Sequence, residues 1–256
     1  MTKFHIDFKN RLRASGIHLC ISLLVATLAA LLVFGLWYPY PYREISGGRG
    51  LFFLVVAVDV AMGPLITLAI FNRSKPRREL VMDFTVVGML QLAALGYGLW
   101  TVFVARPVHL VFEYSRLSVV HAVDIEPELL AKAPPALHAL PLMGPTLIAL
   151  RPFKDADEQF QFTMAALGGA PLAARSDLWQ PYEASKEAIL HASRSVSELR
   201  ARFPAEAERI DRSIAKTGHP VTTLRYLPMV GRKEAWTAWI DPDTAKPLGF
   251  LPLDSF

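Results

Sequence analysis

The sequence predicts a membrane protein with three transmembrane α-helices followed by a periplasmic α+β domain built on an antiparallel sheet. Apolar residues make up 52% of the 256 positions, and they are unevenly spread: three long apolar runs fall before position 106. Basic residues gather beside those runs, on alternate sides of them. Beyond position 106 the pattern shortens into strand-like and helix-like segments of an ordinary water-soluble domain, large enough for its own core. The chain therefore divides into a membrane region, 1–106, and a domain, 107–256.

The first span covers 16–38. No formal charge occurs between Arg13 and Arg43, and a run of this length crosses a hydrocarbon core of about 30 Å. It exceeds the apolar region of a cleaved signal peptide, and Trp37, Tyr38 and Tyr40 read as an aromatic belt at its far end. The second span covers 51–71 and the third 84–105, with Trp100 and Phe103 near the end of the latter. Lys3, Lys9, Arg11 and Arg13 precede the first span, and Arg73, Lys75, Arg77 and Arg78 fill the loop between the second and third. Only Arg43 and Arg49 lie in the first loop. This asymmetry predicts a cytoplasmic N-terminus, and three crossings then deliver everything after Arg106 to the periplasm of a Gram-negative inner membrane.

Polar groups inside the spans are the candidate functional residues, because an ionisable side chain in hydrocarbon costs about 2.5 to 3.5 kcal/mol on insertion scales. Asp59 in the second span and Gln91 in the third lie within one or two helical turns of each other in depth, so a shared hydrogen bond is expected. Such a bond either ties the two spans together or leaves Asp59 to receive a polar group from a client helix. Gly63 and Pro64 follow Asp59, and Pro64 removes a backbone donor and clashes with the carbonyl of Val60, which predicts a kink. Gly88, Gly96 and Gly98 with Ala93 and Ala94 offer a small-residue face for close helix approach. Arg106 and Pro107 mark the exit from the membrane.

In the domain, 108–114 and 117–125 read as a hairpin turning at Ser115 and Arg116. A short helix at 127–132 and a proline-rich loop at 133–145 follow. Phe160, Met164 and Leu167 predict a helix over 155–167, stopped by Gly168 and Gly169. Residues 170–182 read as irregular. A long helix is predicted over 185–203, with Ile189, Ala192, Val196, Leu199 and Phe203 on one face and Ser185 as its cap, and a second from Pro204 to Lys216. Strands fit 221–230, 235–240 and 248–251, the last entered through a turn at 241–247.

Catalytic signatures are missing: no glycine-rich phosphate loop, no GxSxG elbow, no HExxH and no paired CxxC. His109 and His121 face each other across the expected hairpin with Asp124 nearby, two or three groups where a metal site needs three or four. Asp241 and Asp243 resemble a metal motif, but the intervening Pro242 favours a turn. The net charge of +4 comes with no basic stripe interleaved with aromatics, so nucleic acid is not an expected partner. Cys20, the one cysteine, lies inside the first apolar run, so no intrachain disulfide forms. No cofactor or metal is expected.

Two segments carry a family likeness: WYPYPYREISGGRGLFFLVVAVDVAMGPLITLAIF and QLAALGYGLWTVFVARPVHLVFEYSRLSVVHAVDI, joined by a basic loop with Lys75 and Asp83. With Pro39, Gly47, Gly48, Asp59, Gly63, Pro64, Gln91, Tyr97, Gly98, Arg106 and Pro107 at matching positions, the chain resembles the type IV pilin accessory proteins of the TfpX/TfpZ family. The likeness is most specific from Trp37 to Ile125. Its pattern of Asp-Arg-Phe stands here as Ser-Arg-Leu at 115–117. The resemblance implies a non-catalytic assembly chaperone or modulator in the inner membrane. Its partners would be a membrane-embedded type IV pilin, other pilus assembly proteins and the lipid bilayer. The alternative class is a membrane-anchored sensor or transport-complex subunit, in which Asp59 and Gln91 would serve a signal or proton path.

Overall fold

The structure, a computed structural model, describes residues 2–71 and 75–256. Arg73 and the side chain of Lys3 lie outside the described residues. The chain forms two compact units: Met1–Trp37 with Gly48–Val104, and Tyr38–Gly47 with Ala105–Phe256.

The first unit is three helices. α1 (Thr2–Leu32) continues through a wider π turn at Val33–Trp37, and α2 (Gly48–Ile70) and α3 (Arg77–Val104) follow. All three are long and apolar enough to cross a membrane, over Phe8–Trp37, Gly48–Ile70 and Arg77–Val104. Each starts N-terminal to the apolar run read from the sequence; for α1 and α3 the added turns are rich in good helix formers such as Arg, Leu and Met. Trp37 packs on Phe103 with ring centroids 5.0 Å apart. Lys75 Nζ donates to Asp83 Oδ2 at 2.6 Å, fastening the start of α3.

The second unit has a mixed sheet. Its strands are β1 (Pro107–Glu113), β2 (Arg116–His121), β3 (Thr146–Leu150), β4 (Trp179–Pro181), β5 (Arg194–Ser195), β6 (Arg225–Val230), β7 (Ala235–Ile240) and β8 (Pro247–Leu251). The spatial order is β4-β3-β1-β2-β6-β7-β8, with β5 also on β6. The expected antiparallel sheet is thus only partly right: β3 runs parallel to β1, and β6 parallel to β2. The hairpins are antiparallel, but the long connections after β2 and before β6 carry the chain back to the same end of the sheet, and only a crossover of that kind permits parallel pairing.

Besides short helical turns at Tyr42–Ile45 and Pro127–Leu130, the unit carries the longer helices α4 (Ala156–Leu167), α5 (Lys186–Ala192), α6 (Val196–Arg202) and α7 (Ala207–Ala215). The single long helix expected over 185–203 is two. Between them Arg194 and Ser195 extend to pair with Tyr226 and Arg225, Arg225 Nε donates to Ser193 Oγ at 2.6 Å, and Ser195 Oγ accepts from the Glu198 amide to cap α6. Ser185 makes no cap bond; its hydroxyl instead pairs with Gln180 Nε2 at 2.7 Å. The helical spacing persists across the break because both halves bury an apolar face, Ile189 in one cluster and Val196 with Leu199 in another.

One cluster joins Leu110, Phe112, Leu117, Leu227, Met229 and Ile240. A second, containing Val111, Val120, Ile148, Leu150 and Trp179, uses side chains that alternate with these along the strands. The central strands are buried on both faces for this reason. The segment Tyr38–Gly47, which the sequence reading kept in the membrane region, enters the first cluster through Tyr42 and Ile45. Tyr38 is fully buried in this unit, whereas Tyr40 stays exposed with its ring 6.1 Å from that of Trp236. The stripe of Phe160, Met164 and Leu167 on α4 is exposed; the helix packs instead through Phe162, which stacks on Phe153 and lies under Arg175.

Candidate functional site

Arg11, Ser15, His18 and Ser22 recur along α1 at the spacing of one helical face, and this face meets α2 and α3. Arg11 Nη1 donates to the carbonyls of Leu68 and Ala69 at 3.5 and 3.2 Å, serving the otherwise orphaned acceptors at the end of α2. Ser15 Oγ donates to the Pro64 carbonyl at 2.8 Å. His18 sits at the centre, with Nδ1 2.6 Å from Thr67 Oγ1 and Nε2 2.8 Å from Gln91 Oε1. Gln91 Nε2 in turn donates to the Asp59 carbonyl at 3.2 Å. The polar groups of all three spans thus form one chain: α2 to α1 to α3 and back to α2.

This arrangement corrects the expected pairing of Asp59 with Gln91. The bond exists, but it ends on the backbone oxygen of residue 59, and among the described residues the Asp59 carboxylate accepts no hydrogen bond. Asp59 lines a cavity of about 230 Å³ together with His18, Ile21, Ser22 and Val25 of α1 and Gly88, Gln91, Leu92 and Leu95 of α3. Gly63 is required by the network: a Cβ there would stand 2.1 Å from Gln91 Nε2 and 3.0 Å from His18 Nε2. Pro64 lies inside α2, and its carbonyl is the one Ser15 satisfies.

The small-residue face of α3 is not used uniformly. Gly98 is buried against Val55, whose Cγ1 would lie 2.3 Å from an added Cβ, whereas Gly96 is exposed and has nothing within 4 Å. Gly98 therefore sets the α2–α3 distance and Gly96 does not. Arg106 is buried, and its Nε donates to the Pro141 carbonyl at 3.3 Å; Pro107 opens β1 opposite His121. His109 and His121 have separate partners. His109 Nδ1 is 2.8 Å from Thr146 Oγ1 and its ring packs on Trp179, while His121 Nδ1 is 3.3 Å from Asp124 Oδ2. Asp241 Oδ1 accepts from the amides of Asp243 and Thr244, the turn read from Pro242.

Sequence reasoning missed His18, Ser15 and Thr67. A count of formal charges passes over neutral histidine and hydroxyls, although the spacing of Arg11, Ser15, His18 and Ser22 carries the signal.

Fold and site together define a membrane-anchored protein with an internally hydrogen-bonded helical region and a separate α+β domain. The chain belongs to the fimbrial assembly protein family. A family model described as fimbrial assembly protein FimB matches residues 6–47. The fimbrial assembly protein of serogroup I from Dichelobacter nodosus is 34% identical over 231 residues, covering 90% of both chains. That of serogroup E1 is 32% identical with the same coverage. That of serogroups C1 and C2 is 42% identical over 113 residues, 44% of this chain and 86% of the relative. No solved structure matches the chain.

Proposed function

We propose that this protein assists type IV pilus assembly as a non-catalytic, pilin-specific chaperone or assembly modulator of the TfpX/TfpZ kind. It acts in the bacterial inner membrane, with its N-terminus cytoplasmic and its C-terminal domain periplasmic. The names of its relatives speak for fimbrial assembly, and the charge asymmetry of the loops speaks for the orientation.

The observation that carries the reading is Asp59, whose carboxylate the network leaves over and which lines the cavity between spans one and three. A carboxylate in hydrocarbon without an internal partner is costly, and a network that merely tied helices together would have consumed it. A client that enters the membrane by one apolar helix and carries a polar or cationic group near its end would relieve that cost. A pilin awaiting polymerisation has this form, one helix in lipid and a globular head in water. Two weak contacts, one for each part, reinforce each other through effective concentration.

The test is Asp59→Asn together with Asp59→Ala, with surface piliation and co-purification of the pilin encoded nearby as readouts. Loss of both at normal protein level supports the proposal. Full piliation in both variants removes Asp59 from any client role.

A further inference from the structure

We infer that Leu142 and Met143 form an interfacial anchor, a loop tip that inserts into the outer-leaflet boundary of the bilayer beside the points where the chain leaves it. The two residues occupy the tip of the sequence Pro141-Leu-Met-Gly-Pro145. Both are exposed, at 64% and 69% of their surface, although leucine and methionine are ordinarily buried. They lie outside the core clusters of the described residues, while Leu137 and Leu140 before them pack against the core.

The occupant follows from what holds the loop. Arg106 Nε donates to the Pro141 carbonyl at 3.3 Å, and Arg106 stands two residues beyond Val104, the last residue of α3. On the other side of the tip, Gly144 has a left-handed φ of +57° and approaches Pro39, whose Cγ would lie 3.5 Å from a Cβ at 144. Pro39 stands two residues beyond Trp37, where the first span ends. Two residues of chain reach about 7 Å at most, so both flanks of the tip are pinned to segments that have only just left the hydrocarbon.

An exposed apolar pair held at that depth meets lipid before it meets water. The Leu and Met side chains enter the headgroup–acyl boundary, where apolar burial is favourable, and the backbone of the turn stays in the hydrated layer where its polar groups are satisfied. Insertion at this point adds a contact independent of the three spans and restrains rocking of the domain about its chain connections. The occupant is the bilayer itself, and no protein partner is required.

The experiment uses the full chain in nanodiscs of phosphatidylethanolamine and phosphatidylglycerol. Cys20→Ser gives a cysteine-free background, and Leu142→Cys and Met143→Cys each carry a nitroxide. Because both native side chains are exposed, the labels leave the core untouched, which an unchanged thermal transition verifies. Collision with oxygen several-fold above collision with a water-soluble nickel chelate, at both positions, is the expected result. Nickel collisions that dominate place the tip in water and overturn the inference. Low access to both reagents places it against protein and overturns the inference equally.

Discussion

Gly231 passes so close to Ile45 that a Cβ on it would lie 2.6 Å from Ile45 Cγ1 and 2.7 Å from the Ile45 carbonyl oxygen. Ile45 belongs to the short connection between the first two spans, and Gly231 to the turn between β6 and β7. Lys233 N donates to that same carbonyl at 3.3 Å, so backbone as well as side chain resists separation. Gly231→Ala therefore forces the connection off the sheet. A loss of about 1–3 kcal/mol is expected, the range for overpacking, read as a lower denaturant midpoint and faster proteolysis within 38–47.

Gly98 and Gly96 form a matched pair of probes. Val55 is β-branched and cannot swing away from a new methyl on residue 98, so Gly98→Ala pushes α2 from α3. Gly96→Ala meets open space and gains helix propensity of about 1 kcal/mol. Steric-trapping measurements in bicelles should show Gly98→Ala destabilised and Gly96→Ala neutral or stabilised; equal effects would refute this division of the face.

His18 couples three spans, so His18→Leu leaves Thr67 Oγ1 and Gln91 Oε1 without their partner at once. Removing Gln91 as well should then cost little more. A double-mutant cycle of His18→Leu with Gln91→Leu is expected to give a coupling of about 0.5–2 kcal/mol, the scale of intramembrane hydrogen bonds. Additive losses would break the proposed chain of bonds.

Burial beneath Trp179 lowers the His109 pKa from 6.5 to about 4. The folded domain keeps the ring neutral, whereas the unfolded chain takes up a proton below about 6.5. Stability is therefore retained above that pH, falls as pH drops from about 6.5 to about 4, and changes no further from this group below that. The loss is on the order of 3 kcal/mol. Melting of the wild type across this window should slope accordingly, and His109→Gln, which keeps a donor for Thr146, should flatten the slope.

How much was legible varies with the range of the interaction involved. The three long helices were readable because crossing hydrocarbon requires a long, predominantly apolar run, and such a run stands out in sequence. The hairpin of β1 and β2 and the turn at Asp241 were readable because a few adjacent residues make each of them. The strand Thr146–Leu150 was missed: the six residues between Pro145 and Pro152 carry too little pattern, and the strand's pairing with β1 depends on a distant segment. The break between α5 and α6 was hidden because the apolar residues of both helices keep one helical spacing although they enter different clusters, and only the pairing of Arg194 and Ser195 with β6 interrupts them.

At the candidate site, sequence singled out Asp59 and Gln91 by the cost of polarity in lipid, an argument that needs no partner. It could not say that Gln91 bonds the Asp59 carbonyl instead of its carboxylate, nor that His18 lies between Gln91 and Thr67.

Composition and charge along the chain were enough to divide it into a part made for lipid and a part made for water, because solvation acts on each residue locally. Which strands run parallel, that residues 38–47 belong to the sheet domain, and which glycine is crowded were decided only in three dimensions. Those outcomes depend on side chains far apart in sequence meeting at distances of a few ångströms, and no local pattern encodes such a meeting.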